Sequence, residues 1–329
     1  MKQHPAGSDF TAFTEAAGFP VNQASPVISY SPMAVPVPGR AIDLQIKVSV
    51  PEAGEELPVI VLSHGNGPSN FVSSLYGYGP VAHFWAAHGF VVIQPTHLDS
   101  MTLGLREADS FEAPLYWRTR VEDVRTILDH LDRIESTVPG LRGRIDRSRI
   151  AAVGHSMGGH TVGMLCGSTV TDPVNGSQVY LPDQRIKAGV LLGAPGLGDD
   201  LAPYATEHWP ILSTTRFDRM TTPALVVTSD EDTNEYFSER KDWRADAYRL
   251  GPGRKSLLWL YEAGHSFGGI STYDAAETTD ENPERVAALR ALVWAYLRSE
   301  LYPDDKSWND AVTILQSMDT PWGRAETKP

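Results

Sequence analysis

The stretch "RIAAVGHSMGGHTVGMLCG", residues 149–167, changes character in its middle. After Arg149 comes the apolar run Ile150-Ala151-Ala152-Val153, of strand type, and from Met157 onward small and apolar residues suit a buried helix. Between them stands Gly154-His155-Ser156-Met157-Gly158-Gly159. A strand that hands over to a helix this abruptly needs small residues two before and two after the corner, which accounts for Gly154 and Gly158. Ser156 then sits on strained backbone with its hydroxyl carried out over the sheet edge, and the helix start behind it favours developing negative charge. G-x-S-x-G in the setting strand–turn–helix reads as a nucleophile elbow.

A serine hydroxyl is a poor nucleophile until a base takes its proton, so the elbow calls for a histidine and an acid further along, in the order Ser, Asp or Glu, His. Of the ten histidines, His265 in "YEAGHSFGG" (261–269) follows a late apolar run, "SLLWLY", inside a loop of small residues. The acid is expected after the strand before it, where "LVVTSDEDTNEYF" (225–237) offers Asp232, far enough past the strand to lie in the loop, and Asp230. Asp199 or Asp200 in "LLGAPGLGDD" is a third option. Two backbone N–H groups are expected to hold the oxyanion. One belongs to Met157; the other comes from the glycine-rich "VLSHGNGPSN" (61–70), where Asn66 faces the site. Phe71 and Trp117 are candidate substrate contacts, on cleft walls expected from "GNGPSNF" and from the long loop 96–117. His155 is expected to pack inward and His64 to fix its loop. Neither His83, His88, His130 nor His160 has a second ligand at metal spacing, and Cys166 reads as a buried helix residue. No zinc, EF-hand, dinucleotide or P-loop pattern occurs, so no metal or cofactor is expected.

Elsewhere the pattern is alternation. "LQIKVSV" (44–50) is a half-exposed antiparallel strand, while "LPVIVLS" (57–63), "FVVIQP" (90–95), "AGVLL" (188–192), "ALVVTS" (224–229) and "SLLWLY" (256–261) are apolar throughout, as strands covered on both faces are. Helical spacing over 118–134 puts Val121, Val124, Ile127, Leu128 and Leu131 on one face, and a last helix fits 281–301 with Asn282 as cap and Pro283 in the first turn. Strands alternating with helices imply an α/β fold with a mostly parallel sheet and helices on both faces. The expected organisation is an extended N-terminal arm (1–40), in which "SPMAVPVPGR" forms no regular element, a catalytic domain (41–302), and a tail packed on its surface (303–329).

The 329 residues, 41% hydrophobic and 21% charged, supply ample core, and a formal charge of −13 with pI about 5.2 argues against a nucleic-acid partner. One cysteine forbids an intrachain disulfide, and no stretch has the apolar length of a membrane span. A cytoplasmic location is the simplest expectation, a processed secreted protein the alternative.

With these residues in hand the chain resembles an α/β-hydrolase, and within that superfamily it is similar to the platelet-activating-factor acetylhydrolase, chlorophyllase and bacterial polyester-hydrolase (dienelactone-hydrolase-like) group. The resemblance covers roughly residues 57–300 and rests on "VIVLSHGNG", "AAHGFVVIQPTHLDS", "RVEDVRTILDHL", "IDRSRIAAVGHSMGG" and "EAGHSFGG". It implies Ser156 as nucleophile, His265 as base, and Asn66 with Met157 as oxyanion donors. The acetylhydrolase placement of the acid, after the strand that follows the nucleophile helix, meets Gly193 here; Asp232 matches the polyester-hydrolase placement instead. The function expected is serine carboxylic-ester hydrolysis through an acyl-enzyme, on short to medium acyl, aryl or polyester-type esters, in a cleft without a large cap. Acyl transfer, amide hydrolysis or peracid formation on the same residues, or a non-catalytic binding role, are the alternatives.

Overall fold

The computed structural model of the chain describes residues 16–273 and 278–329. In order these form β1 (Val27–Val35), β2 (Leu44–Pro51), β3 (Leu57–Ser63), α1 (Gly79–Ala87), β4 (Val91–Thr96), α2 (Trp117–Asp129), α3 (Leu131–Thr137), β5 (Ile145–His155) and α4 (Met157–Leu165). There follow β6 (Thr169–Thr171), β7 (Gln178–Tyr180), β8 (Ile186–Leu192), α5 (Pro203–His208), β9 (Ala224–Ser229), α6 (Asp246–Leu250), β10 (Lys255–Leu260), α7 (Pro283–Leu301), α8 (Ser307–Ser317) and β11 (Gly323–Lys328).

Nine strands make one sheet in the order β1-β2-β4-β3-β5-β8-β9-β10-β11. The six central strands from β4 to β10 run parallel, and antiparallel strands close both edges. The continuous apolar runs are explained by this: alternate residues feed two cores. Val59, Val61, Ile150 and Ala152 join α2, α3 and α4 on one face; Ile60, Leu62, Ala151 and Val153 join α1, α7 and α8 on the other. Asn282 caps α7, its side-chain oxygen accepting the N–H of Arg285 at 2.9 Å, with Pro283 in the first turn.

Three expectations need correction. Residues 31–40 were expected to form no regular element, yet β1 runs to Val35; residues 1–15 of that arm lie outside the described ones. β1 is an edge strand, where prolines are tolerated, and its register slips between Tyr30 and Met33, around Pro32. The tail 303–329 contributes more than packing: α8 covers one core and β11 completes the sheet beside β10. β11 is polar because only Gly323 and Ala325 face inward. The helix over 118–134 is two helices, broken at His130, whose Nδ1 bonds back to Thr126 O at 2.8 Å.

Candidate active site

β5 ends at His155 and α4 begins at Met157, so Ser156 makes the entire turn, at φ 54° and ψ −118°. A non-glycine residue held there stores ~1–3 kcal/mol of strain, which surrounding structure must offset. Part of that support is the Ser156 N–H, which donates to Leu192 O at 2.8 Å. A Cβ on Gly154 would lie 2.1 Å from Gly158 O, and one on Gly158 would lie 2.0 Å from Ser63 O. Only glycine lets strand, helix and neighbouring β3 approach this closely.

The loop after β10 carries His265, whose Nδ1 lies 2.9 and 3.0 Å from the two carboxylate oxygens of Asp232, in the loop after β9. A carboxylate only accepts, so Nδ1 carries the proton and Nε2 is left as the acceptor nitrogen. The Asp232 carboxylate is 2% exposed; Arg244 Nε forms an ion pair with its Oδ1 at 2.9 Å, while Arg244 Nη1 donates to Gly193 O at 2.6 Å. Burial alone would raise the Asp232 carboxyl, but Arg244 and His265 outweigh it and hold it down to about 2. Asp230 is exposed, and Asp199 and Asp200 pair outward with Arg216 and Arg240. A Cβ on Gly193, at φ +55°, would lie 3.0 Å from Asp232 Oδ2 and 3.1 Å from the His265 ring.

Ser156, Asp232 and His265 line one cavity of about 290 Å³, with Asn234, Phe237 and Arg244 among its walls. The residues that line it come from the segments after β5, β8, β9 and β10; residues 65–71 and 96–117, expected as walls, are not among them, although Gly65 lies against Ser156. Arg106 ties the latter loop to the former, donating to Asp99 O at 2.6 Å and to Gly67 O at 2.7 Å. Trp117 is 1% exposed in the core at the start of α2 and is not among the residues that line this cavity. Phe71 is exposed and stacks on Tyr76, apart from the residues that line the cavity.

Below the serine, the loop after β3 is pinned at each step. Gly65 N–H donates to Tyr78 Oη at 2.9 Å and Gly67 N–H to Ser73 Oγ at 2.8 Å, which fixes the Asn66 peptide between them. Asn66 Nδ2 donates to Asp99 Oδ2 at 2.7 Å. Asp99 is in turn gripped by Arg120 through Nε at 2.9 Å and Nη2 at 2.6 Å, with both side chains fully buried. Arg120 Nη1 also donates to His64 O at 2.8 Å. His64 gives its Nδ1–H to Gly65 O at 2.7 Å and accepts the His97 N–H on Nε2, so it is neutral and holds the loop, as its place before Gly65 implied. Alongside runs a second, wholly buried hydroxyl–imidazole–carboxylate line, Ser63 Oγ to His97 Nε2 at 2.9 Å and His97 Nδ1 to Asp123 Oδ2 at 2.8 Å. The sequence reading missed Arg120, Asp99, Asp123 and Arg244. The one available signal was an arginine and an aspartate on the apolar face of α2, where charges find partners or are not tolerated. Among the described residues no cluster of three or more His, Cys, Asp or Glu could hold a metal ion, and no helix is long and apolar enough to cross a membrane.

A mostly parallel sheet, a serine on a positive-φ corner, and an imidazole–carboxylate pair over the same cavity define an alpha/beta hydrolase; the chain matches that family over residues 60–263 and belongs to it. The chain is similar to platelet-activating factor acetylhydrolase of Bos taurus, 30% identical over 178 residues, 43% of this chain and 36% of that protein. The Cavia porcellus acetylhydrolase is 25% identical over 175 residues, again 43% and 36%. Cutinase 1 of Thermobifida cellulosilytica is 44% identical over 152 residues, 45% of this chain and 39% of that protein. The matches thus span well under half the length of these curated relatives.

Proposed function

We propose that this chain hydrolyses carboxylic esters through an acyl-enzyme on Ser156. His265 Nε2 takes the hydroxyl proton as Ser156 Oγ attacks the ester carbonyl, and the imidazolium is stabilised by Asp232. The oxyanion is met by the N–H of Met157, one of the unsatisfied donors at the start of α4, and by that of Asn66; each such donor is worth ~10²–10³ in rate. Collapse breaks the ester C–O bond, with the proton passing from His265 to the leaving alkoxide. Water then repeats the sequence, His265 accepting its proton and returning one to Ser156 Oγ as the acid departs.

The observation that carries this reading is the His265–Asp232 hydrogen bond at 2.9 Å over the cavity that Ser156 lines. Similarity to an acetylhydrolase and to cutinases supports ester hydrolysis as the reaction. Between β8 and β9 the largest helix is the six-residue α5, so no large cap closes the cavity, which favours short to medium acyl, aryl or polyester-type esters over long buried chains. The test is a panel of nitrophenyl esters from acetate to decanoate, with Ser156→Ala as blank and a fluorophosphonate probe for labelling. Hydrolysis and labelling of the wild type, both absent in Ser156→Ala, are expected. Hydrolysis that survives Ser156→Ala would overturn the reading.

A further inference from the structure

His155, the variable residue of the elbow, stands between the two other segments that build the site. Its Nε2 lies 2.8 Å from the backbone oxygen of His265, and its Nδ1 lies 2.9 Å from the hydroxyl of Tyr78. That hydroxyl also receives the Gly65 N–H at 2.9 Å. The donors can be assigned by counting. A carbonyl oxygen only accepts, so His155 Nε2 bears the proton; the neutral ring then offers a bare Nδ1, to which Tyr78 must donate; the remaining lone pair of Tyr78 takes the Gly65 N–H. All hydrogen bonds therefore point one way, from the loop before Asn66, through Tyr78 and His155, to the loop of His265.

Both links are buried, Tyr78 at 1% and His155 at 6% exposure, so no water competes for these bonds. Burial, reinforced by the His265 ring whose centroid is 4.7 Å away, pushes His155 down to about 3, and burial raises the Tyr78 hydroxyl. Both stay neutral over any working pH, and the directions of the bonds do not change. Tyr78 is itself held at φ 63° before α1, its N–H donating to Ser271 O at 2.6 Å, which ties it to the far end of the His265 loop.

We propose that Tyr78 and His155 are positioning residues that hold the Asn66 peptide and the His265 imidazole in one frame around Ser156. The proposal rests on the esterase reading above and adds to it two residues that touch no substrate. Displacements of about 1 Å in such a frame cost up to ~10²-fold in rate. The test is kinetics of Tyr78→Phe, His155→Gln and the double variant, with turnover counted per fluorophosphonate-labelled site. Tyr78→Phe deletes one oxygen. His155→Gln keeps a donor toward His265 O and removes the imidazole acceptor for Tyr78. Each single variant is expected to lower kcat about tenfold with KM changed less than about twofold, and the double variant to lose no more than either single, because the two residues act as one unit. Wild-type kcat in Tyr78→Phe, or losses that multiply in the double variant, would overturn the proposal. So would variants that fail to label and have lost their far-ultraviolet helix signal, since the residues would then serve the fold alone. Ester hydrolysis in Ser156→Ala strikes the esterase reading; full turnover in Tyr78→Phe beside an inert Ser156→Ala strikes only the relay.

Discussion

Asp232 Oδ1 meets two partners: it accepts from His265 Nδ1 and pairs with the Arg244 guanidinium at Nε, each at 2.9 Å. The guanidinium keeps the carboxylate ionised and aimed, so the imidazole tautomer is settled before any substrate arrives. Asp232→Asn places an amide there that can donate as well as accept, and kcat is expected to fall ~10³–10⁴-fold with KM little changed, measured by steady-state ester hydrolysis. The same carboxylate sets a pH-dependent part of stability. Its folded-state value of about 2 lies below the ordinary 3.8, so the ionised form contributes about 2 kcal/mol that is present in full above about pH 4 and lost as pH falls through about 2. Urea unfolding at pH 5 and pH 3 is expected to show the wild type losing more stability over that interval than Asp232→Asn. At this scale the convergence of Ser156, His265 and Asp232 on one cavity was legible, because each follows a strand in the order such chemistry uses. Arg244 was not: it lies twelve positions after Asp232, in a short turn, with no pattern that marks it out.

The elbow is the element on which the site depends, and it is built by exclusion. Gly154, Ser156 and Gly158 occupy positions where β5, α4 and β3 come together too closely for an added Cβ beside the serine. Gly158→Ala would place a methyl 2.0 Å from Ser63 O, within the strand that leads to the Asn66 loop. A loss of at least about 3 kcal/mol, read as a lower urea midpoint, is expected, together with loss of fluorophosphonate labelling. The parallel strands were legible because burial on both faces leaves continuous apolar runs. The edge strands were not. β1 carries Pro32, which an edge permits, and β11, "GRAETK", has half its residues in solvent, so neither leaves the apolar signature of the centre. The break at His130 was hidden for a related reason: the apolar face continues smoothly from α2 into α3 across the bend.

Across the whole molecule, each residue assigned to chemistry sits just beyond the carboxyl end of a parallel strand, Asn66 after β3, Ser156 after β5, Asp232 after β9 and His265 after β10. The sheet is thus a rigid plate, and its right-hand edge matters to the site. β11 pairs along all of β10, and Trp322 O accepts the N–H of Tyr261, at the base of the His265 loop, at 2.9 Å. Deleting residues 319–329 is expected to lower Tm by about 5 °C and, by leaving β10 as an open edge, to cause concentration-dependent self-association visible by light scattering. The alternation of strands and helices made this plan readable from the sequence. The buried ion pair of Arg120 with Asp99 was not readable, because it joins residues 21 positions apart whose spacing follows no local period. Gly193 bears on how such a plan changes over time. A side chain at 193 would press on both the Asp232 carboxylate and the His265 ring, so an acid at 193 and one at 232 compete for the same space beside the imidazole. With neither acid present, His265 would act as base without a carboxylate to hold its tautomer.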